Sequence, residues 1–299
     1  MTFIKIKVMP ELPEVQTTVD GLNKKVLNRT FVDVWSDWKK TVKKPKDFDL
    51  FKKELKGKKI KKIWRRAKNV IFELSDGYSL LVHMKMTGHL MVARWKMEGS
   101  KWQPVKKGPL EEKINTFLHI IFFMDDGQMI ALSDLRKFAK VELWRTEEFL
   151  ASAEFNGWGP EPLEKSFTFE KFKEVLKGKK GKIKQVIMVP EVIAGIGNIY
   201  SNEALWWSKI HPEKSVAKLS QKELKALYDA IKKVLLAGIK LRGESFSDYR
   251  DVDGKKGNFD DERRVYKREK EPCQRCKTTI KRIKFGGRSA FFCPTCQKL

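Results

Sequence analysis

Cysteine is nearly absent from this chain. Its 299 residues include four, all within residues 273–299. A disulfide framework would be spread along a chain this long, so four cysteines at one end point to a reducing compartment and a metal site. Acidic residues are also short: 38 Asp and Glu stand against 63 Lys and Arg, a net charge of +25. That surplus argues against an ordinary small-molecule enzyme and for a polyanionic partner. Long apolar runs are missing. The longest is residues 117–124, which contains His119 and falls far short of the roughly 18–20 residues that span a bilayer. No membrane partner is expected, and residues 1–8 are too short and too charged for a secretory signal. Internal repeats and low-complexity tracts are lacking as well. What remains is 41% apolar and 11% aromatic, enough for the cores of about two domains.

The positive charge is clustered. Residues 52–68 carry ten Lys and Arg against one acid, and residues 262–299 carry twelve against three. Lys177, Lys179, Lys180, Lys182 and Lys184 form a third group. One such run is usually a solvated face; three together predict a continuous basic surface for nucleic-acid phosphates.

Val15, Val19, Leu22 and Val26 fall at helical spacing after Pro13. Residues 71–74, 79–84, 117–124, 128–132 and 141–144 read as short strands, with Asp76-Gly77 and Asp126-Gly127 as hairpin turns. Residues 96–113 read as an exposed insertion and 157–162 as a linker. Beyond it the period is helical, and Ser220 with Glu223 makes a capping box before a long helix ending near Gly238 or Gly243. Residues 244–262, polar and rich in Gly and Asp, read as a long loop.

Cys273-x-x-Cys276 and Cys293-x-x-Cys296 are separated by 16 residues. Each pair grips one side of a tetrahedral ion, and the intervening segment can turn back at Gly286-Gly287. Four thiolates close the shell, so the expected cofactor is one structural Zn2+. Gly195-Ile-Gly197-Asn198 lacks the third glycine of a dinucleotide fingerprint, since Tyr200 stands there, and follows a helix, not a strand. It predicts a tight turn into a helix whose N-terminus, near Asn198, suits a phosphate.

Several of these pieces meet in one family. Met9-Pro10-Glu11-Leu12-Pro13-Glu14-Val15 resembles the start of the formamidopyrimidine-DNA glycosylases. Arg65-Arg66-Ala67-Lys68, His83-Met84-Lys85-Met86-Thr87-Gly88 and Asp134-Leu135-Arg136-Lys137-Phe138 resemble its basic strand, its His-x-x-Met-x-Gly stretch and its Asp-Pro-Arg-Arg-Phe. The glycine turn before Asn198 and the cysteine ribbon complete the match in order. The resemblance implies an α+β protein: an N-terminal antiparallel β-sandwich with a long helix over 10–150, a helix-two-turns-helix domain with a lesion loop over 151–262, and a zinc ribbon over 263–299. It implies a bifunctional DNA glycosylase and AP lyase that removes oxidised purines from double-stranded DNA, working as a monomer on the bacterial nucleoid. Pro10 would be the amine nucleophile, Glu11 the acid/base carboxylate, Lys68 a phosphate holder active in β-elimination, and Arg288 its counterpart in δ-elimination. Met86 and Phe138 would fill the gap left by the flipped base, and Arg136 would read the orphaned base. His83, Lys179 and Asn198 would hold DNA.

The chain departs from the family at Leu135, Lys137 and Ala139, at Ile114 where a DNA-contacting histidine is expected, and in the loop 244–249. The eight residues before Met9 are the largest departure, because an internal proline nitrogen cannot act as an amine. The expectation is initiation at Met9 and a mature N-terminus at Pro10, with residues 1–9 absent from the working protein. A non-catalytic damage-binding protein is the alternative if Pro10 is not freed. A ribbon-bearing RNA-associated protein fits the charge and the zinc but not the Met/Arg/Phe trio.

Overall fold

Short runs of apolar residues build two sheets that share one core. A computed structural model describes residues 9–244 and 248–299. The expected extension at 1–8 and the centre of the loop 244–249 lie outside those residues. The chain divides into two compact units.

The first unit covers described residues up to Asn156 together with Leu241–Asn258. It runs α1 (Leu12–Val26), β1 (Phe31–Ser36), β2 (Val42–Lys44), α2 (Phe48–Leu55), β3 (Ile60–Arg66), β4 (Asn69–Leu74), β5 (Tyr78–His83), β6 (Gly88–Ala93), β7 (Trp95–Glu98), β8 (Lys101–Pro104), β9 (Leu118–Met124), β10 (Met129–Asp134), β11 (Lys140–Arg145) and α3 (Thr146–Ala151), with α4 (Ala153–Gly157) at its end. One sheet has the order β1-β9-β10-β6 and the other β2-β11-β5-β4-β3. Every pairing is antiparallel except β2 with β11. Phe31 of the first sheet meets Phe72 of the second edge-on at 6.4 Å and its neighbour Phe122 at 5.7 Å. All three rings are buried, as are Val15, Val19, Leu22 and Val26 of α1. The hairpin turns form as the sequence predicts, with Asp76 and Gly77 both at positive φ.

One expectation is corrected. Residues 96–113 are not merely an exposed insertion: β7 and β8 pair there, and Trp95 is buried with Trp102 packed edge-on against Trp35 at 5.5 Å. Residues 248–258 form a loop, as the sequence predicts, but one packed into the first unit. Tyr249, Arg250, Asp251 and Val252 are buried, and the carbonyl of Val252 accepts from the Val92 amide at 2.9 Å.

The second unit comprises Gly157–Lys240 and Phe259–Leu299. Its helices are α5 (Phe169–Leu176), α6 (Ile183–Ile187), α7 (Asn198–Trp207) and α8 (Gln221–Lys240), followed by a hairpin of β12 (Lys281–Phe285) and β13 (Arg288–Phe292). Ser220 and Glu223 cap α8 reciprocally, Ser220 N–H to the carboxylate at 2.9 Å and Glu223 N–H to the hydroxyl at 3.3 Å. Gly238 lets α8 approach α7, since a Cβ there would sit 2.6 Å from the Tyr200 ring. No helix among the described residues is long and apolar enough to cross a membrane.

The first unit also buries a titratable ring. His89 Nε2 meets Asn115 Oδ1 at 2.8 Å, and Asn115 Nδ2 donates to the carbonyls of Pro109 and Gly254 at 2.7 and 3.0 Å. Burial pushes the His89 pKa down to about 4. An unfolded chain protonates this ring below about pH 6.5, whereas the folded chain does so only near 4. Its contribution to stability is therefore complete above pH 6.5 and is lost as pH falls; the loss reaches about 3 kcal/mol by pH 4. Urea unfolding at pH 7, 5.5 and 4 is expected to show this decline, and His89→Gln to flatten it by about that amount.

Candidate functional site

Pro10 and Glu11 enter α1 in a buried position. Pro10 is buried and Glu11 is 2% exposed. The Glu14 carboxylate fixes them: it accepts the Glu11 N–H at 2.8 Å and, with its other oxygen, the Glu244 N–H at 2.7 Å. Tyr249 donates its hydroxyl to the Glu14 carbonyl at 3.0 Å, and burial raises its pKa. One turn of helix thus ties the Pro-Glu pair to both ends of the loop 244–249. Glu14 is a positioning residue that the motif at residues 9–15 contains but does not single out. Its spacing of three from Glu11, before an apolar helix, is the signal that marks it.

Lys68 is half-buried in the turn between β3 and β4, where Ala67 takes a positive φ of 52°. His83 ends β5, and its Nδ1 accepts the Lys85 N–H at 2.9 Å. Burial, with the positive charges of Lys85, Lys68 and Lys140, pushes the His83 pKa down to about 3. The ring is neutral, with Nε2 carrying the proton as a donor. Burial, and next Lys140, lowers the Lys85 pKa as well.

Met86, Arg136 and Phe138 come together. Gly88 closes the Met86 turn: its N–H donates to the Met84 carbonyl at 3.1 Å, and a Cβ there would lie 2.4 Å from that oxygen. The buried Asp134 carboxylate organises the loop after β10. It accepts the amides of Arg136 at 3.2 Å and of Phe138 and Ala139 at 2.7 Å, and the Thr87 hydroxyl. The result is a rigid loop with Phe138 held 50% exposed. The Arg136 guanidinium lies 4.4 Å from the Phe138 ring centroid and 3.2 Å from Met86 Sδ. An exposed aromatic braced by a cation and a thioether is suited to enter a base stack. Asp134 grips backbone amides, so these bonds do not depend on the side chains of Leu135 or Lys137.

In the second unit Asn198 opens α7, but its side chain is not a cap. Asn198 Oδ1 accepts from Lys184 Nζ at 2.5 Å. Lys184 is wholly buried, which corrects its placement on a basic surface. The tip of the β12–β13 hairpin meets the same place. A Cβ on Gly286 would sit 2.7 Å from Gln185 Nε2, and the Lys182 and Lys184 amines lie 5.3 and 5.5 Å from the Phe285 ring. Arg288, exposed, starts β13 beside that tip. Lys179 stands apart on the exposed loop after α5.

The four cysteine sulfurs lie within 4.8 Å of one another, with Cys276 and Cys293 at 3.4 Å and Cys273 and Cys296 at 4.0 Å. A tetrahedral zinc with bonds of about 2.3 Å separates its sulfurs by about 3.8 Å. The four thiols fit one structural zinc. The ribbon is seated on α7. Arg275, between the first two cysteines, donates to the carbonyls of Trp206 and Trp207 at 2.6 and 3.1 Å. Asn202 Oδ1 accepts the Phe291 N–H at 2.9 Å, and the Glu203 carboxylate accepts the amides of Arg264, Val265 and Tyr266 at 2.8–3.1 Å.

Three family models match the chain in order. The formamidopyrimidine-DNA glycosylase N-terminal domain covers residues 9–141, the formamidopyrimidine-DNA glycosylase H2TH domain 158–250, and the zinc finger found in FPG and IleRS 270–299. The chain belongs to the formamidopyrimidine-DNA glycosylase family. It is 36% identical over 293 residues to a formamidopyrimidine-DNA glycosylase of Desulforamulus reducens, covering 97% of this chain and 99% of that one. Against the Desulfitobacterium hafniense protein of the same name it is 37% identical over 289 residues, with 97% and 100% covered. Among solved structures, Lactococcus lactis Fpg in complex with an abasic site containing DNA superposes with a TM-score of 0.84 at 34% identity, covering 97% of this chain and 100% of that one. MutM in complex with carbocyclic 8-oxo-G containing DNA has the same TM-score at 35% identity and the same coverage. The family's β-sandwich, helical and zinc-ribbon parts are thus those expected, and the α+β class stands.

Proposed function

We propose that the protein is a bifunctional DNA glycosylase and AP lyase that excises oxidised purines, 8-oxoguanine and formamidopyrimidines, from double-stranded DNA. The observation that carries this reading is the Pro10-Glu11 pair, pinned by Glu14 in the same unit as the Met86/Arg136/Phe138 wedge. With its amine free, Pro10 N attacks C1′ of the lesion nucleotide. Glu11 protonates the ring oxygen as the sugar opens, the base leaves with a proton, and an iminium joins Pro10 to C1′. Loss of the C2′ proton expels the 3′-phosphate, with Lys68 holding phosphate and assisting. A second elimination, in which Arg288 is assigned the assisting role, expels the 5′-phosphate, and water then releases Pro10 from the sugar fragment. His83, Lys179 and Asn198 hold the backbone. Zinc supplies no chemistry; it shapes the ribbon that carries Arg288.

Residues 10–150, 151–262 and 263–299 would be the catalytic, helix-two-turns-helix and ribbon parts. Acting on DNA as its bacterial relatives' names imply, it would work on the nucleoid in the cytoplasm, as a monomer. Borohydride trapping on a duplex with one 8-oxoguanine opposite cytosine tests the reading. A covalent adduct is expected; tight binding with no adduct would select the non-catalytic alternative.

Arg136 reads the orphaned base, its guanidinium presenting donors to the acceptor edge of an unpaired cytosine. Arg136→Ala is therefore expected to lower excision opposite cytosine about tenfold or more, from the roughly 1–3 kcal/mol of a good base contact, and to level the rates opposite the four bases. Single-turnover rates on four duplexes check it, and an unaltered preference for cytosine would remove the role.

A further inference from the structure

One end of the four-stranded sheet carries more than the wedge. β1 and β10 both run antiparallel to β9, which lies between them. Their C-terminal ends therefore emerge at the same edge, as does the start of β6, where Gly88 pairs with Asp134. The Met86 turn and the Arg136/Phe138 loop leave from that edge, and so does the turn after β1, which bears Trp38, Lys39 and Lys40.

This turn is held in place. The Ser36 hydroxyl donates to the His119 carbonyl at 2.6 Å and accepts the Trp38 N–H at 3.0 Å, and the Trp38 carbonyl accepts the Thr41 N–H at 3.0 Å. Asp37, the adjacent acid, is engaged by His119 Nδ1 at 2.8 Å. Trp38 is only half-buried. The Lys137 amine lies 4.6 Å from its ring centroid and the Lys40 amine 5.3 Å. Neither amine has a carboxylate within 4.0 Å among the described residues, whereas Lys39 pairs with Asp49 at 3.9 Å. A half-exposed indole flanked by unneutralised cations, next to a loop shaped to enter DNA, has the chemistry of a sugar–phosphate contact: amines for phosphates, an aromatic face for the deoxyribose or base.

We infer that Trp38, with Lys40 and Lys137, forms a second DNA-backbone contact on the duplex flanking the lesion pair. Two strand spacings of about 4.8 Å separate it from the wedge, and the backbone advances about 3.4 Å per nucleotide. The contact therefore falls within a few nucleotides of the gap that Phe138 fills. The inference rests on the proposed DNA reading but makes its own claim about the flank.

The test is equilibrium binding of the full-length protein to lesion duplexes with long flanks, and to duplexes cut to two base pairs on one side or the other. Wild type is expected to lose affinity several-fold on one of the two cuts. Trp38→Ala combined with Lys40→Gln and Lys137→Gly is expected to bind the long duplex about tenfold more weakly and to show no further loss on that cut. Glycine at 137 suits the positive φ of 58° found there, so the loop backbone is spared. Lys40→Gln alone, an exposed change that keeps the indole, is expected to lower the slope of log affinity against log salt by about one. An unchanged slope in that variant, or a triple variant that keeps the wild-type response to the cut, would overturn the contact. Failure of wild type to excise any lesion would instead count against the glycosylase reading, because the flank comparison is read by binding alone.

Discussion

A chain in which residue 9 remains joined to Pro10 is expected to form no borohydride-stable adduct with lesion DNA, while a chain beginning at Pro10 forms it readily. The difference should be all or none. In an amide the nitrogen lone pair is delocalised into the carbonyl, and Pro10 N would be tertiary, with no proton to lose. It can neither attack C1′ nor carry an iminium. A free Pro10 is a secondary amine, and the bond it forms with C1′ is what borohydride reduces. Both chains keep the Asp134 loop and the ribbon, so both should bind the duplex; the joined chain then reports binding without chemistry. Preparing the two forms and comparing trapped fraction at equal occupancy checks the point. Equal trapping by the joined chain would move the nucleophile to another amine.

Removing the zinc is expected to cost the protein its DNA affinity, by about 100-fold or more, while sparing the first unit. Cys293→Ser leaves three thiolates, and a structural site with an open position loses both its hold on the ion and the folding energy that metal binding supplies. The consequences reach α7 through named bonds. Arg275 would release the carbonyls of Trp206 and Trp207, and Asn202 the Phe291 amide. Arg288 would then lose the hairpin that presents it. Metal analysis should fall from one zinc per chain to none, gel-shift affinity should fall for damaged and undamaged duplex alike, and the pH dependence tied to His89 should persist. Zinc absent from freshly purified wild type would end this account of the ribbon.

Much of the architecture was legible because it follows from periodicity and spacing. Strands β4, β5, β9 and β10 fall where runs of Val, Ile, Leu and Phe stop at Asp-Gly turns, and β11 follows from its own apolar run. The 2-16-2 spacing of cysteines specified the metal site before any coordinate. What the sequence hid was tertiary. The strands β7 and β8 lie in a stretch rich in Lys, Gly and Pro with Trp95 and Trp102 to anchor them, and the alternation of Trp95-Lys96-Met97-Glu98 is too short to stand out. Lys184 reads as one of five surface lysines, and its burial becomes visible only in the fold, where the Asn198 side-chain oxygen accepts from its amine. The Pro-Glu pair, the wedge and Arg288 are legible through resemblance to a family, whereas the positioning role of Asp134 shows itself only through the amides it collects, and that of Glu14 has no sequence signal beyond its spacing from Glu11.

The grip of Asp134 on the wedge loop bears on how a lesion is found. An enzyme sliding on a chromosome passes very many sound base pairs for each damaged one. A loop that had to order itself at each pair would add its own folding time to every pause. Here the backbone is already set, three amides on one carboxylate, so on the proposed reading Phe138 would meet each pair in its working shape. The length of a pause would then be governed by how readily the pair in front of Phe138 opens, and a weakened stack would itself hold the enzyme.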